Sequence, residues 1–187
     1  MELNKFESGY LSDKKISVIA GPCSAESEEQ VLETAERLFN QGIRIFRAGV
    51  WKPRTKPGGF EGYGTKALSW LDKVGSKFNR EMQIAVEVAT KEQASQAIQF
   101  ADIFWIGART TGNPFAVQEL ADYFATMPEY FKESLWIFIK NPMAPDLELW
   151  IGAIERIYKA GIKNIAAIHR GFTVAEKSET ESLSGAF

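Results

Sequence analysis

Arg47, Lys52, Arg109, Lys140 and Arg170 share one kind of position in this sequence. Arg47 ends the run Ile43-Arg44-Ile45-Phe46-Arg47, and Lys52-Pro53-Arg54-Thr55 follows shortly after it. Arg109 closes Ile103-Phe104-Trp105-Ile106-Gly107-Ala108-Arg109, and Lys140 closes Leu135-Trp136-Ile137-Phe138-Ile139-Lys140. Arg170 closes Ile165-Ala166-Ala167-Ile168-His169-Arg170. Each run is short and apolar, and most precede a helix-like segment. In a parallel α/β sheet such positions gather at one rim, where ligands bind. Cations brought together in a cleft need anions to offset their mutual repulsion and desolvation. The chemistry indicated is the binding of small phosphorylated, carboxylated molecules. The clustering is local, because the chain as a whole carries a formal net charge of −2.

That charge gives no polyelectrolyte basis for binding nucleic acid or an anionic membrane surface. The first residues include Glu2, Lys5, Glu7, Asp13, Lys14 and Lys15, which interrupt any apolar core of a signal peptide. No stretch approaches the roughly 20 apolar residues of a membrane span. Cys23 is the single cysteine, so an internal disulfide is excluded and a reducing compartment fits. A cytoplasmic location is expected. With 45% hydrophobic residues the chain can bury a substantial core.

The elements that must position the cations follow from periodicity. Strand-like runs stand at 16–20, 43–48, 83–88, 103–106, 135–139 and 165–169, rich in Ile, Val, Phe and Trp. Between them lie helical patterns. Ser27-Glu28-Glu29-Gln30 opens one with Val31, Leu32, Ala35 and Leu38 on a single stripe, and Thr90 opens another with Ala94 and Ala97 inward. Asn113-Pro114 supplies a cap and a proline at the first helical position. Pro145-Asp146 opens a helix carrying Leu147, Leu149, Ile151, Ile154 and Ile157, ending near Gly161. Strict alternation of strands and helices predicts a parallel sheet of βα units. Gly21-Pro22-Cys23-Ser24 after the first strand lacks the spacing of a dinucleotide fingerprint, which favours a (β/α)8 barrel over a Rossmann-like sheet. About six βα units are visible where a complete barrel has about eight. The expected organisation is a partial barrel over residues 1–172 and an irregular Ser/Glu-rich tail over 173–187.

Several strings, in register, carry a resemblance. Ala20-Gly21-Pro22-Cys23-Ser24-Ala25-Glu26-Ser27 ends the first strand, and Arg47 with Lys52-Pro53-Arg54-Thr55 follows the second. Ile106-Gly107-Ala108-Arg109-Thr110-Thr111 follows the fourth, Lys140-Asn141 the fifth and His169-Arg170-Gly171 the sixth. From about Val18 to Gly171 the chain resembles the type I 3-deoxy-D-arabino-heptulosonate 7-phosphate (DAHP) synthases. These condense phosphoenolpyruvate with erythrose 4-phosphate at the entry to the shikimate pathway. Asn141-Pro142 followed by Pro145-Asp146-Leu147-Glu148-Leu149-Trp150 resembles the branch fused to a C-terminal chorismate mutase. The sister family, the 3-deoxy-manno-octulosonate 8-phosphate synthases, shares the barrel. It typically has Lys-Ala-Asn-Arg where this chain has Lys52-Pro53-Arg54-Thr55, which favours the heptulosonate reading.

The resemblance implies roles. Arg109 and Arg170 would hold the phosphate of phosphoenolpyruvate, assisted by the Ala108 backbone. Arg47, Lys52 and Lys140 would hold the carboxylate side and the bridging oxygen, with Lys52, Lys140 and Glu87 as the catalytic set. Arg54 and Thr55 would receive the aldose phosphate. A divalent metal of the Mn, Fe, Co or Zn class is implied, with Cys23 as one ligand and Glu87 near the bound water. The family's other ligands, one His and two acidic residues, lie on the seventh and eighth strands, whereas Thr173 to Phe187 contains no His and no strand pattern. The expectation is a C-terminally truncated synthase, weakly active or inactive alone and poor in metal. It would form a homo-oligomer, because open sheet edges favour association.

Other readings stand beside this one. A cysteine at a strand end is commonly a small buried hydrophobe. His169, the only histidine, reads as structural, and Trp105, Trp136 and Trp150 read as packing. Glu28, Glu29, Glu33 and Glu36 read as a solvated helix face. A non-catalytic anion-binding or assembly module, and a Schiff-base aldolase using Lys140 or Lys52, are the alternatives from other classes.

Overall fold

The computed structural model describes residues 1–4, 17–52 and 58–172. Pro53, Arg54 and Thr55, the start of the first strand-like run at Ile16, and the tail at 173–187 lie outside the described residues. Six strands, β1 (Ile19–Ala20), β2 (Ile45–Arg47), β3 (Gln83–Val88), β4 (Ile103–Ile106), β5 (Trp136–Lys140) and β6 (Ile165–Ile168), pair in sequence order. Every pairing is parallel. The helices are α1 (Glu28–Asn40), α2 (Thr65–Lys77), α3 (Lys91–Ala97), α4 (Ala108–Thr111), α5 (Pro114–Ala125), α6 (Glu129–Ser134) and α7 (Leu147–Lys159). The sheet is the curled wall of a partial (β/α) barrel. Among the described residues β1 and β6 each pair on one side only, as the open-edge expectation requires.

Period-two alternation divides the strand side chains between two cores. Phe46, Ile84, Val86, Val88, Phe104, Ile106, Ile137, Ile139 and Ile165 join the helices in the larger cluster. The other parity faces the concave side, where Ile45, Ala85, Ile103 and Phe138 form a second cluster with Ile19, Trp105, Trp136, Ala166 and Ile168 against it. Arg47, Glu87 and Lys140 fall on this second parity, two residues beyond Ile45, Ala85 and Phe138 in their strands. The same alternation that builds the core therefore aims these charged ends into the barrel.

Capping chemistry sets the helix starts. Ser27 Oγ accepts from Gln30 N–H at 3.1 Å, Thr90 Oγ1 from Gln93 N–H at 3.3 Å and Asp146 Oδ1 from Leu149 N–H at 2.9 Å. Asn113 Oδ1 accepts from both Phe115 and Ala116 N–H, leaving Pro114 at the position that needs no donor. The apolar residues of α7 are unevenly covered. Ala153 and Ile157 are its buried residues, whereas Leu147 and Ile151, one turn apart, are 57% and 50% exposed. Packing on the sheet thus covers only part of the helix's apolar set. The helix α2, between β2 and β3, was not anticipated, although Ala67, Leu68, Leu71 and Val74 bury a regular face.

Phe104 is fully buried and Phe115 is 87% exposed. Phe104→Ala is therefore expected to cost about 3–5 kcal/mol in urea unfolding, whereas Phe115→Ala should stay within about 0.5 kcal/mol of the parent. Equal effects would contradict the two-layer packing.

Candidate functional site

The parallel register carries the strand ends to one rim, and the cations meet there in two adjoining cavities. The first, about 210 Å³, is lined by Arg47, Ala48, Gly49, Trp51, Lys52, Ala85, Glu87, Trp105 and Arg109. The second, about 250 Å³, is lined by Glu87, Ala108, Arg109, Thr110, Lys140, Met143 and Arg170. Glu87 and Arg109 belong to both walls. The structure thus brings together Arg47, Lys52, Glu87, Ala108, Arg109, Lys140 and Arg170, as their placement at strand ends predicts. Arg54 and Thr55 lie outside the described residues. A larger cavity, about 600 Å³, lies between α5 and α7 on the outer layer. Acidic and basic side chains are mixed on its walls, and it touches no strand end, so it lacks the cation convergence that marks the rim.

Glu87 is the acidic centre of the group. Its Oε2 accepts from Lys140 Nζ at 3.3 Å, with both side chains partly buried. Gly107, at the end of β4, gives it room: a Cβ there would overlap Glu87 Oε1. Trp105, the Cα partner of Glu87 across β3 and β4, lies under two of the cations. Lys140 Nζ is 4.6 Å from its ring centroid and the Arg47 guanidinium carbon 5.8 Å. An indole face attracts cations, so the ring holds two like charges near one cleft. Its Nε1 is buried and has no hydrogen-bond partner among the described residues.

Cys23 follows β1 and is exposed, unlike the buried small hydrophobe that a strand-end cysteine commonly is. Lys52 Nζ lies 3.3 Å from its Sγ. Gly49 permits this approach, since a Cβ there would come 2.6 Å from Lys52 Nζ. The Lys52 ammonium lowers the Cys23 thiol pKa from its ordinary value, first through this hydrogen bond and then through its charge; burial opposes the effect and Arg47 adds to it. As a metal ligand Cys23 lacks company: among the described residues no three or more His, Cys, Asp or Glu side chains gather as a cation site. One cysteine sulfur facing an ammonium does not fit a three- or four-ligand divalent site.

The fifth and sixth strand ends are tied by Asn141, which has no exposed surface. Its Oδ1 accepts from Arg170 N–H at 2.7 Å, and its Nδ2 donates to Gly171 O at 2.8 Å. Sequence reasoning missed two contributors, Trp105 and Asn141. Trp105 does pack against the concave-face cluster, as its sequence reading expects, and it also lines the first cavity; its inward parity with Ile103 is the signal for that second part. Asn141 stood in the Lys140-Asn141 string without a role of its own. His169 packs between Trp150 and Phe172, with centroids 6.3 and 5.5 Å away, in keeping with a structural part.

Comparison with known proteins gives a consistent picture. The family model described as "DAHP synthetase I family" matches residues 7–186. A phospho-2-dehydro-3-deoxyheptonate aldolase of Thermotoga maritima is 30% identical over 179 residues, 96% of this chain and 48% of that protein. A 2-dehydro-3-deoxyphosphooctonate aldolase of Rickettsia typhi is 31% identical over 115 residues, covering 58% of this chain and 40% of that protein. The crystal structure of the Thermotoga maritima DAHP synthase aligns with a TM-score of 0.71 and 28% identity over 86% of this chain and 43% of that one. A truncated form of the enzyme from that organism aligns with a TM-score of 0.68 and 28% identity, over 89% of this chain and 58% of that one. The chain spans about half the length, or less, of the curated relatives it matches.

The Cys23–Lys52 contact has a measurable consequence. Alkylation of Cys23 by neutral iodoacetamide should reach half its maximal rate at a pH below that of a free thiol, because the lowered pKa keeps the thiolate populated at lower pH. Lys52→Met removes the ammonium and should move the midpoint up. A midpoint unmoved by that substitution would show that Lys52 does not govern the thiol.

Proposed function

The chain belongs to the DAHP synthetase I family, and on that premise we propose that its rim binds phosphoenolpyruvate for condensation with erythrose 4-phosphate. The observation that carries this reading is the convergence of Arg47, Lys52, Arg109, Lys140 and Arg170 on two cavities that share Arg109 and Glu87. Phosphoenolpyruvate presents a phosphate and a carboxylate a few atoms apart, and an anion of that shape needs cations on more than one side. In the proposed pose, Arg109 and Arg170, with the Ala108 N–H, take the phosphate. Arg47, Lys52 and Lys140 take the carboxylate and the bridging oxygen.

The condensation joins C3 of the enolpyruvate to the aldehyde carbon of the aldose; water adds at C2 and inorganic phosphate leaves. Lys140, held by Glu87, is positioned to steady charge on the bridging oxygen as that bond breaks. Glu87 is the carboxylate beside which the water would add. Arg54 and Thr55 are assigned the aldose phosphate by resemblance alone. The metal implied by the resemblance enters no step here, since the described donors do not complete a site for it. The heptulosonate reading is preferred to the octulosonate one because the first relative aligns over 96% of the chain and the second over 58%. Lys52-Pro53-Arg54-Thr55 supports the same choice. Assembly of copies across the open edges of β1 and β6 completes the proposal, since an unpaired edge is a template for association.

Calorimetry of the folded chain should show phosphoenolpyruvate binding, and a coupled assay should test product formation from both substrates. Arg109→Ala is expected to weaken binding by about 1.5–3 kcal/mol, the value of a hydrogen bond to a charged group. Absence of binding by correctly folded protein would overturn the ligand assignment.

A further inference from the structure

We propose that Asn141 is a positioning residue, whose buried amide clamps the loop carrying Arg170 to the end of β5 and so fixes Arg170 relative to Lys140 and Arg109. The inference rests on reading the cleft as a phosphoenolpyruvate site. Arg170 stands beyond β6, which ends at Ile168, and it is exposed. The following Gly171 has φ +82°, a left-handed turn that glycine reaches without a Cβ clash and with wide backbone freedom. Left to itself, such a loop would present its cation over many positions.

Asn141 removes that freedom. Its main-chain N–H donates to Ile168 O at 3.0 Å, one step beyond the Lys140↔Ile168 register of the ladder. Its side chain then works in both polarities. Oδ1 accepts the Arg170 N–H at 2.7 Å, while Nδ2 donates to Gly171 O at 2.8 Å and to Pro142 O at 2.9 Å. An aspartate offers no donor and an aliphatic residue neither donor nor acceptor. The tie is reinforced from the helical side. Trp150 Nε1 donates to Ile139 O at 3.0 Å, and its ring packs near His169, which meets Phe172 edge-on. The backbone on either side of Arg170 is therefore fastened before a ligand arrives, which lowers the ordering cost of binding. The adjacent Lys140 is held by Glu87, so one short strand end sets two cations at once.

The test is a double-mutant cycle on the full chain, with phosphoenolpyruvate affinity read by calorimetry. Asn141→Ser and Arg170→Ala should each weaken binding about tenfold or more, and the pair should be no weaker than Arg170→Ala alone, because an unclamped Arg170 already contributes little. Asn141→Ser with Arg47→Ala should instead multiply. Multiplying losses for the Asn141–Arg170 pair would overturn the clamp. A ligand-free arm separates this from the binding-site reading. Amide hydrogen exchange at Arg170 should quicken at least tenfold in Asn141→Ser, with β3 and β4 unchanged. Unchanged protection would overturn the clamp. Lost protection in a chain whose parent does not bind phosphoenolpyruvate would support the clamp and refute the ligand. If Asn141→Ser fails to fold, Asn141→Thr, which likewise lacks the amide's acceptor for the Arg170 N–H and its donor to Gly171 O, should show the same exchange signature.

Discussion

Parallel pairing in unbroken sequence order is the constraint on which the rest of this molecule depends. With β1 to β6 each hydrogen-bonded to its successor, every strand must run the same way, so every strand must end at the same rim. A residue that closes an apolar run is thereby delivered to a common place without any contact of its own. Register then refines the delivery. Arg47 pairs with Ala85, Glu87 with Trp105 and Lys140 with Ile168, so inward parity passes across the sheet without interruption. A one-residue slip in any strand would turn its terminal charge into the apolar helix layer, at prohibitive desolvation cost.

The rim that results is over-supplied with positive charge. Glu87 and the Cys23 sulfur each engage one lysine there. Trp105 adds a π face beneath Lys140 and Arg47. These contacts hold cations near one another at the rim. An anion entering the cleft would relieve that repulsion, and the relief grows as water is displaced. In the proposed reading, that relief is what would favour a polyanionic ligand at the rim. The low net charge of the whole chain is no obstacle, because only the local field matters at these distances.

Much of this was legible in the sequence because two periodicities are written strongly. The runs at 83–88 and 103–106 coincide with β3 and β4, since their β-branched and aromatic residues favour the extended backbone. The caps at Ser27, Thr90, Asn113 and Asp146 were equally plain. What escaped depended on three-dimensional partners. Trp105 looks like any core tryptophan until the inner parity places it under Lys140 and Arg47. Asn141 carries its meaning in bonds to Arg170 and Gly171, far along the chain, which spacing cannot reveal. The exposure of Leu147 and Ile151 has the same origin: hydrophobicity names an apolar set, but the neighbouring layer decides which part of it is covered.

The rim cations divide into those that regular elements hold and those that lie beyond them. Arg47 and Lys140 are themselves strand residues, so their backbones are fixed by ladder bonds on the sheet. Arg109 sits in the one-turn helix α4, opened directly by Gly107 at the end of β4. Lys52 and Arg170 lie beyond regular structure and need separate anchors. For Lys52 the anchor is the Cys23 contact together with its main-chain N–H bond to Glu61 O at 2.7 Å. For Arg170 it is the Asn141 amide. Where the ladder stops, a buried or paired side chain takes over its function of fixing the backbone. That substitution lets a cleft assembled from five separate chain segments behave as one preorganised surface.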